Sequence, residues 1–190
     1  IAGNPEAPHQ WYMSREGHPF DLLYAGQDAQ SAVAGNNTDA GEIGDIITAL
    51  IPCNDDFLIF GAVNSIWFLI GNPCDGGSIN EFDLTTGIYG GKSWCFGDAG
   101  NLYFWGANGL YKTTVPGKPV CISEIKLPNL VKDLVGGEKI DNSTHRITLA
   151  YDRDRAGILV CITKVDDGTN SNYFYDLRTE GFFPEDYPTT

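Results

Sequence analysis

The sequence predicts an all-β fold of blade-like repeats built from short antiparallel strands, and three observations predict it. The first is a phrase stated twice. IITALIPCNDDFLIFGAVNSIWFLIG at Ile46–Gly71 and KSWCFGDAGNLYFWGANGLYK at Lys92–Lys112 each run strand, small turn, apolar strand, tight turn, aromatic strand. A looser third copy, ITLAYDRDRAGILVCITKVDDGTNSNYFYD, fills Ile147–Asp176, and the centres lie roughly 45 and then 55 residues apart. The second observation is a near absence of helical periodicity. The third is the punctuation: 23 Gly and 10 Pro break the chain into short apolar runs. Repeats of this length and make-up are those of β-propeller blades. A β-sandwich is the alternative packing for the same strands.

Each element follows from local chemistry. Trp11–Arg15 and Phe20–Tyr24 read as strands on either side of the turn Glu16-Gly17-His18-Pro19. Residues 26–37, GQDAQSAVAGNN, are small and polar and read as an exposed excursion. Asp45–Ile51, Phe57–Phe60 and Ile66–Ile70 form a meander whose Ile59, Trp67 and Leu69 leave neither face polar, so a sheet covered on both sides is expected. Ile79–Leu84 ends at Thr85-Thr86-Gly87. Lys92–Phe96, Asn101–Trp105 and Leu110–Thr113 make a second meander; Pro116-Gly117-Lys118-Pro119 breaks it before Val120–Ile122. Ser123–Leu134 alone has helical composition, and Pro128 limits it to a turn or two. Arg146–Tyr151, Ile158–Thr163 and Tyr173–Leu177 make the third meander, with Asp166-Asp167-Gly168 as a hairpin signal. That is about 13 strands, or three to four blades of four strands, arranged as repeats near 8–40, 43–90, 91–135 and 140–190 of a single domain. A closed propeller needs at least that many blades, so the chain is part of a larger propeller, or several chains complete it, or the sheets close differently; the sequence leaves all three open.

Bulk properties exclude some function classes. The 190 residues carry 25 acids against 12 bases, a net charge of −13. That balance opposes tight nucleic-acid binding, which depends on phosphate neutralisation by Lys and Arg. It serves solubility on one reading; on another it gives an anionic surface that DNA slides past or that meets a basic partner. No stretch approaches the roughly 18 unbroken apolar residues of a membrane helix, so no membrane anchor is expected. The opening IAGNPEAPHQ lacks the basic and apolar regions of a signal peptide, and a chain opening without Met is expected to derive from something longer. Five cysteines, Cys53, Cys74, Cys95, Cys121 and Cys161, make no C-x-x-C pair and, with three scattered histidines, no zinc pattern. Cys95, Cys121 and Cys161 sit in apolar runs and read as small hydrophobes. Free thiols fit a reducing cytosol as the place of folding.

Candidate chemistry competes with structure at every position. The carboxylate pairs Asp55-Asp56, Asp152 with Asp154, Asp166-Asp167 and Glu185-Asp186 could serve acid–base or glycosidase work. All fall in or beside turns or near the chain end, where Asp is favoured because its side chain bonds the local backbone. Asp152-x-Asp154-x-x-Gly157 has the acid spacing of a calcium loop without its distal glutamate. Trp94, Tyr103 and Trp105 could form a sugar-binding platform or fill a blade core. No G-x-S-x-G, P-loop or H-E-x-x-H occurs. No catalytic, cofactor-binding or metal-binding residue is assigned, and no cofactor is expected.

HQWYMSREGHPFDLLY supplies Trp11, Ser14-Arg15 and Gly17-His18-Pro19-Phe20-Asp21; Ile-Thr-Ala-Leu, Leu-Ile-Phe and Ser-Ile-Trp follow at Ile47–Trp67. Gly-Asn-Leu-Tyr-Phe, Asn-Gly-Leu-Tyr, Ala150–Asp152 and Tyr175-Asp176 come after. In this order, over most of Trp11–Phe183, the chain resembles β-propeller structural proteins of the neck or tail nozzle of short-tailed bacteriophages. Pro52-Cys53 and residues 26–37 depart from that pattern. The resemblance implies a non-catalytic virion component, assembled in the host cytoplasm into a ring through which DNA passes. It implies a homo-oligomer with other phage tail or portal proteins as partners, and passing contact with DNA without tight binding. A glycan- or host-receptor-binding β-module is the alternative, and a glycan hydrolase a further one.

Overall fold

The computed structural model describes residues 2–4, 6–25, 27–34, 41–53, 57–127 and 140–186. The described residues are all-β: four small antiparallel sheets, no closed barrel, and one short helix. The chain falls into two compact units, Ile1–Gly87 and Ile88–Thr190.

The first unit holds two sheets. β1 (Ala2–Asn4), β2 (Ala7–Met13) and β3 (Val33–Ala34) form one; β4 (Ile47–Pro52), β5 (Phe57–Ala62), β6 (Ile66–Ile70) and β7 (Ser78–Asp83) form the other. Trp11, Val33, Ile43, Phe60 and Leu69 bury a shared core between them. Trp11 and Phe60 meet with ring centroids 5.6 Å apart and tilted by 55°, a contact of the kind worth about 0.5–1.5 kcal/mol beyond its burial. A bulge at Thr48 shifts the β4–β5 register, and the Thr48 hydroxyl donates to the Gly61 carbonyl at 3.1 Å. Asp45 ties this sheet's turns together: its carboxylate accepts from the Ile46 and Asn64 amides, each at 2.8 Å, and from the Ser65 hydroxyl at 2.9 Å.

The second unit holds β8 (Trp94–Phe96), β9 (Asn101–Gly106), β10 (Gly109–Thr114) and β11 (Val120–Cys121), then α1 (Ser123–Lys126). β12 (His145–Asp152), β13 (Gly157–Lys164), β14 (Asn170–Asp176) and β15 (Gly181–Glu185) complete it. β9 and β10 close through Ala107-Asn108, with Gly106 opposite Gly109, as the turn residues predict. β12 shows strict alternation, with His145, Ile147 and Leu149 buried and Arg146, Thr148 and Ala150 exposed. β9 buries Leu102, Tyr103, Phe104 and Trp105 in a row, so both its faces are covered. Tyr103 and Trp105 pack with Leu149, Ile158, Val160 and Tyr175 from the following sheet. The amide of Leu149 also donates to the Lys92 carbonyl at 2.9 Å.

Two expectations are corrected. Phe20–Tyr24 is not a strand. Two tight turns wind it up instead, His18 donating to the Arg15 carbonyl and Asp21 to that of His18, each at 3.0 Å, and no strand pairs with it. Residues 26–37 are not all an exposed excursion. Ser31, Ala32 and Val33 are buried, and Val33–Ala34 pairs with Tyr12–Met13. The helix at Ser123 is a single turn ending at Lys126, before Pro128, as expected; residues 128–134 of that stretch lie outside the described residues. The short edge strands β1, β3 and β15 are additional to those predicted, and the strand at Trp11 starts earlier, at Ala7.

Candidate functional site

Of the carboxylates that invite a catalytic reading, Asp152, Asp167 and Glu185 are engaged in local structure. Asp152 closes the β12–β13 turn: one oxygen accepts from the Asp154 and Arg155 amides at 3.1 Å, the other from Arg155 Nε at 2.7 Å. The Arg155 hydrogen bonds hold the Asp152 carboxyl below the ordinary aspartate range. The same guanidinium bonds Glu185 on β15 through Nη1 and lies 4.3 Å from the Phe174 ring centroid. Arg155 is a clamp between a turn and a neighbouring strand. Of the calcium-loop acids, Asp152 is engaged in this network and Asp154 contributes its amide, and no group of three or more His, Cys, Asp or Glu among the described residues is arranged to hold a metal. Asp167 accepts from the Thr169 amide at 2.9 Å, which lowers its pKa. Asp55-Asp56 lies outside the described residues.

The aromatic platform is not one. Tyr103 and Trp105 are core residues, and Trp94 is half-buried in an edge-on pair with Phe96 at 5.8 Å. Burial pushes the Tyr103 hydroxyl up to about 12. All five cysteines are free and half-buried. Desolvation pushes the Cys95 thiol up to about 12, which opposes nucleophilic use. The Cys74 thiol donates to the Ser31 carbonyl at 2.8 Å, within the segment read as an excursion. His145 opens β12 as a buried residue, its Nδ1 paired with the Thr144 hydroxyl at 2.8 Å.

Two features escape a reading of local pattern. The first is a second repeat, Phe82-Asp83-Leu84-Thr85-Thr86-Gly87 and Tyr175-Asp176-Leu177-Arg178-Thr179-Glu180-Gly181. In both copies the aspartate turns back on the backbone two residues ahead: Asp83 accepts from the Thr85 amide at 2.6 Å, Asp176 from that of Arg178 at 2.9 Å. The first copy ends the fourth strand of its sheet and the second ends the third.

The second is the loop His18–Tyr24. Phe20 is 97% exposed, Leu23 80%, Leu22 60% and Tyr24 55%, a contiguous apolar surface on an ordered turn. Hydrogen bonds fix its shape. Arg15 donates its amide to the Asp21 carbonyl at 2.8 Å, the Asp21 carboxylate accepts from the Leu23 amide at 3.0 Å, and Ala25 donates to the Ser31 hydroxyl at 2.7 Å. Arg15 pairs with Asp28 at 2.7 Å across the loop's base. The signal in the sequence was four large apolar residues around one Asp, which reads equally as a strand.

Charge is unevenly shared. By sequence the Ile1–Gly87 unit has twelve acids against one base, Arg15, a net charge of −11. The Ile88–Thr190 unit has thirteen against eleven, a net charge of −2. Most of the net negative charge, −11 of −13, sits in the unit that carries the exposed loop.

No helix among the described residues is long and apolar enough to cross a membrane. No protein-family model matches the chain, and no curated protein is significantly similar to it in sequence.

Proposed function

We propose that this chain is a non-catalytic structural component of a short-tailed phage neck or tail, its sheets serving as propeller-like blades and its copies assembling into a ring that DNA traverses. The observation that carries the reading is the succession of small antiparallel sheets, each completed in chain order before the next begins. Within each unit, consecutive sheets bury a common core, as stacked blades do. Asp83, Asp152, Asp167 and Asp176 fit the same reading because they hold turns, and the net charge of −13 suits a channel wall that releases DNA. In the assembled particle the chain resides in the virion and meets other tail or portal proteins. The glycan-binding and hydrolase readings have less to stand on, since Tyr103 and Trp105 are core and Asp152 and Glu185 share Arg155.

The test is molar mass in solution by light scattering over a wide concentration range, followed by imaging of the particles. A discrete multimer with a central opening is the expected result. A strict monomer at every concentration, or retention on a glycan array, overturns the reading.

A further inference from the structure

We infer that the His18–Tyr24 loop is a docking element for a protein partner whose apolar pocket is ringed by Lys and Arg. This stands on the loop and its unit alone, whatever the whole chain assembles into. Four observations carry it.

The side chains are presented rather than left over. Phe20 and Leu23 are almost bare, more exposed than any large apolar side chain described in the same unit outside the loop, where Leu84 at 56% is the highest. The loop is ordered before any partner arrives. The amides of Arg15, His18, Asp21, Leu23 and Ala25 are all donated within the segment 15–31. A preformed loop gives up little conformational freedom on docking, so more of its apolar contact appears as affinity. The presented residues, Phe20, Leu22, Leu23 and Tyr24, offer large apolar side chains whose burial against an apolar partner surface is favourable.

Charge then selects the partner. Glu16, Asp21 and Asp28 flank the apolar residues, and the unit's single base, Arg15, is already paired with Asp28. With a net charge of −11, this unit repels phosphate-bearing surfaces and offers the loop no cationic rim of its own. A cationic rim around an apolar pocket meets both properties at once, and steers encounter as well as holding it.

The probe is a fluorescein-labelled amphipathic helical peptide of leucine and lysine, compared with a matched leucine and glutamate peptide, against the whole chain. The expected result is binding of the lysine peptide, weakened at least ~10-fold in F20S/L23S, since burying one such side chain is worth about a tenfold change or more. Binding also weakens as salt rises from about 50 to about 500 mM, and the glutamate peptide does not bind. Unaltered thermal unfolding shows that the variant is folded; F20S alone substitutes if it is not. Lysine-peptide binding that is absent, or that survives F20S/L23S at full strength, overturns the inference. So does equal binding of the glutamate peptide. Self-association of the wild type that F20S/L23S abolishes makes a second copy the occupant, and Phe20-dependent binding to phosphatidylcholine vesicles makes it lipid; each overturns the basic-protein assignment.

Discussion

Gly157 offers the sharpest test of the packing in the second unit. It opens β13 opposite Asp152 and Asp176, and the Phe174 ring crosses it diagonally from β14. A Cβ built at residue 157 would stand 2.1 Å from Phe174 Cζ, 2.3 Å from Cε2 and 2.7 Å from the Tyr175 carbonyl oxygen. None of these distances is tolerable, so the ring must move. Phe174 is only 7% exposed and has Arg155 on its face, so it has nowhere unstrained to go. Overpacking of this kind costs about 1–3 kcal/mol, and an off-rotamer ring about 0.5–1.5 more. Against this, Gly to Ala restricts the unfolded chain and gains about 0.4–1 kcal/mol. The steric cost wins, leaving G157A destabilised by about 2 kcal/mol. For a domain of about 100 residues that lowers Tm by roughly 8–16 °C. The assay is urea and thermal unfolding of G157A beside G90A, because a Cβ at Gly90 meets nothing within 4 Å. G90A is expected to match or slightly exceed the wild type. The double variant G157A/F174L should recover part of the loss, a coupling of at least about 1 kcal/mol in a double-mutant cycle. Equal stability of G157A and wild type, or strict additivity with F174L, refutes the reasoning.

R155A should lower stability through loss of the stacking on Phe174 alone by about 0.5–1 kcal/mol, with the pairs to Asp152 and Glu185 adding to it; R155K should recover little, because one ammonium cannot bridge both carboxylates, and urea midpoints of the three proteins decide it. Asp152 and Asp176 are held low chiefly by hydrogen bonds from Arg155 and Arg178, Asp167 by the Thr169 amide and Glu180 by Lys126. Their folded pKa values lie below the unfolded ones, so their stabilisation is complete above the ordinary carboxylate range of about 4 and is lost as pH falls through the lowered values. Urea midpoints stepped downward from pH 6 should decline only below about pH 4; a midpoint for the second unit unchanged to pH 3 contradicts the pairing. Cys95, its thiol raised to about 12 by burial, should resist a disulfide reagent at pH 8 in the folded protein and react at once in denaturant, with labelled peptides mapped by mass spectrometry.

The sequence reveals most where strands are joined by turns with their own chemistry. The meanders at β4–β6, β8–β10 and β12–β14 follow from alternating apolar runs around Gly106–Gly109, Asp154–Gly157 and Asp166–Gly168, all of which act within a few residues. What escapes is set at a distance. Phe20–Tyr24 has strand composition, but a strand needs a partner, and the tight turns at Arg15–Asp21 supply none. Ser31–Val33 looks polar and exposed, yet it is buried, with Val33 beside Trp11 in the core. β15 carries Pro184 and pairs only on one side, as an edge strand permits, so no period-two run advertises it. For the candidate chemistry, the turn role of Asp152 and Asp167 is legible because Asp favours such positions. The apolar loop is not, because exposure is a property of the whole unit. The charge imbalance is hidden whenever only the total of −13 is considered.

The chain order of the sheets bears on how the protein is made. In every sheet the spatial neighbours are also consecutive along the chain, so no strand waits for a partner from a distant segment. Loop-closure cost stays small, and each sheet can close as the ribosome delivers its last strand. Strands that end up inside a sheet are thereby left unpaired only briefly during synthesis. A protein built in this way is suited to folding sheet by sheet while it is still being synthesised.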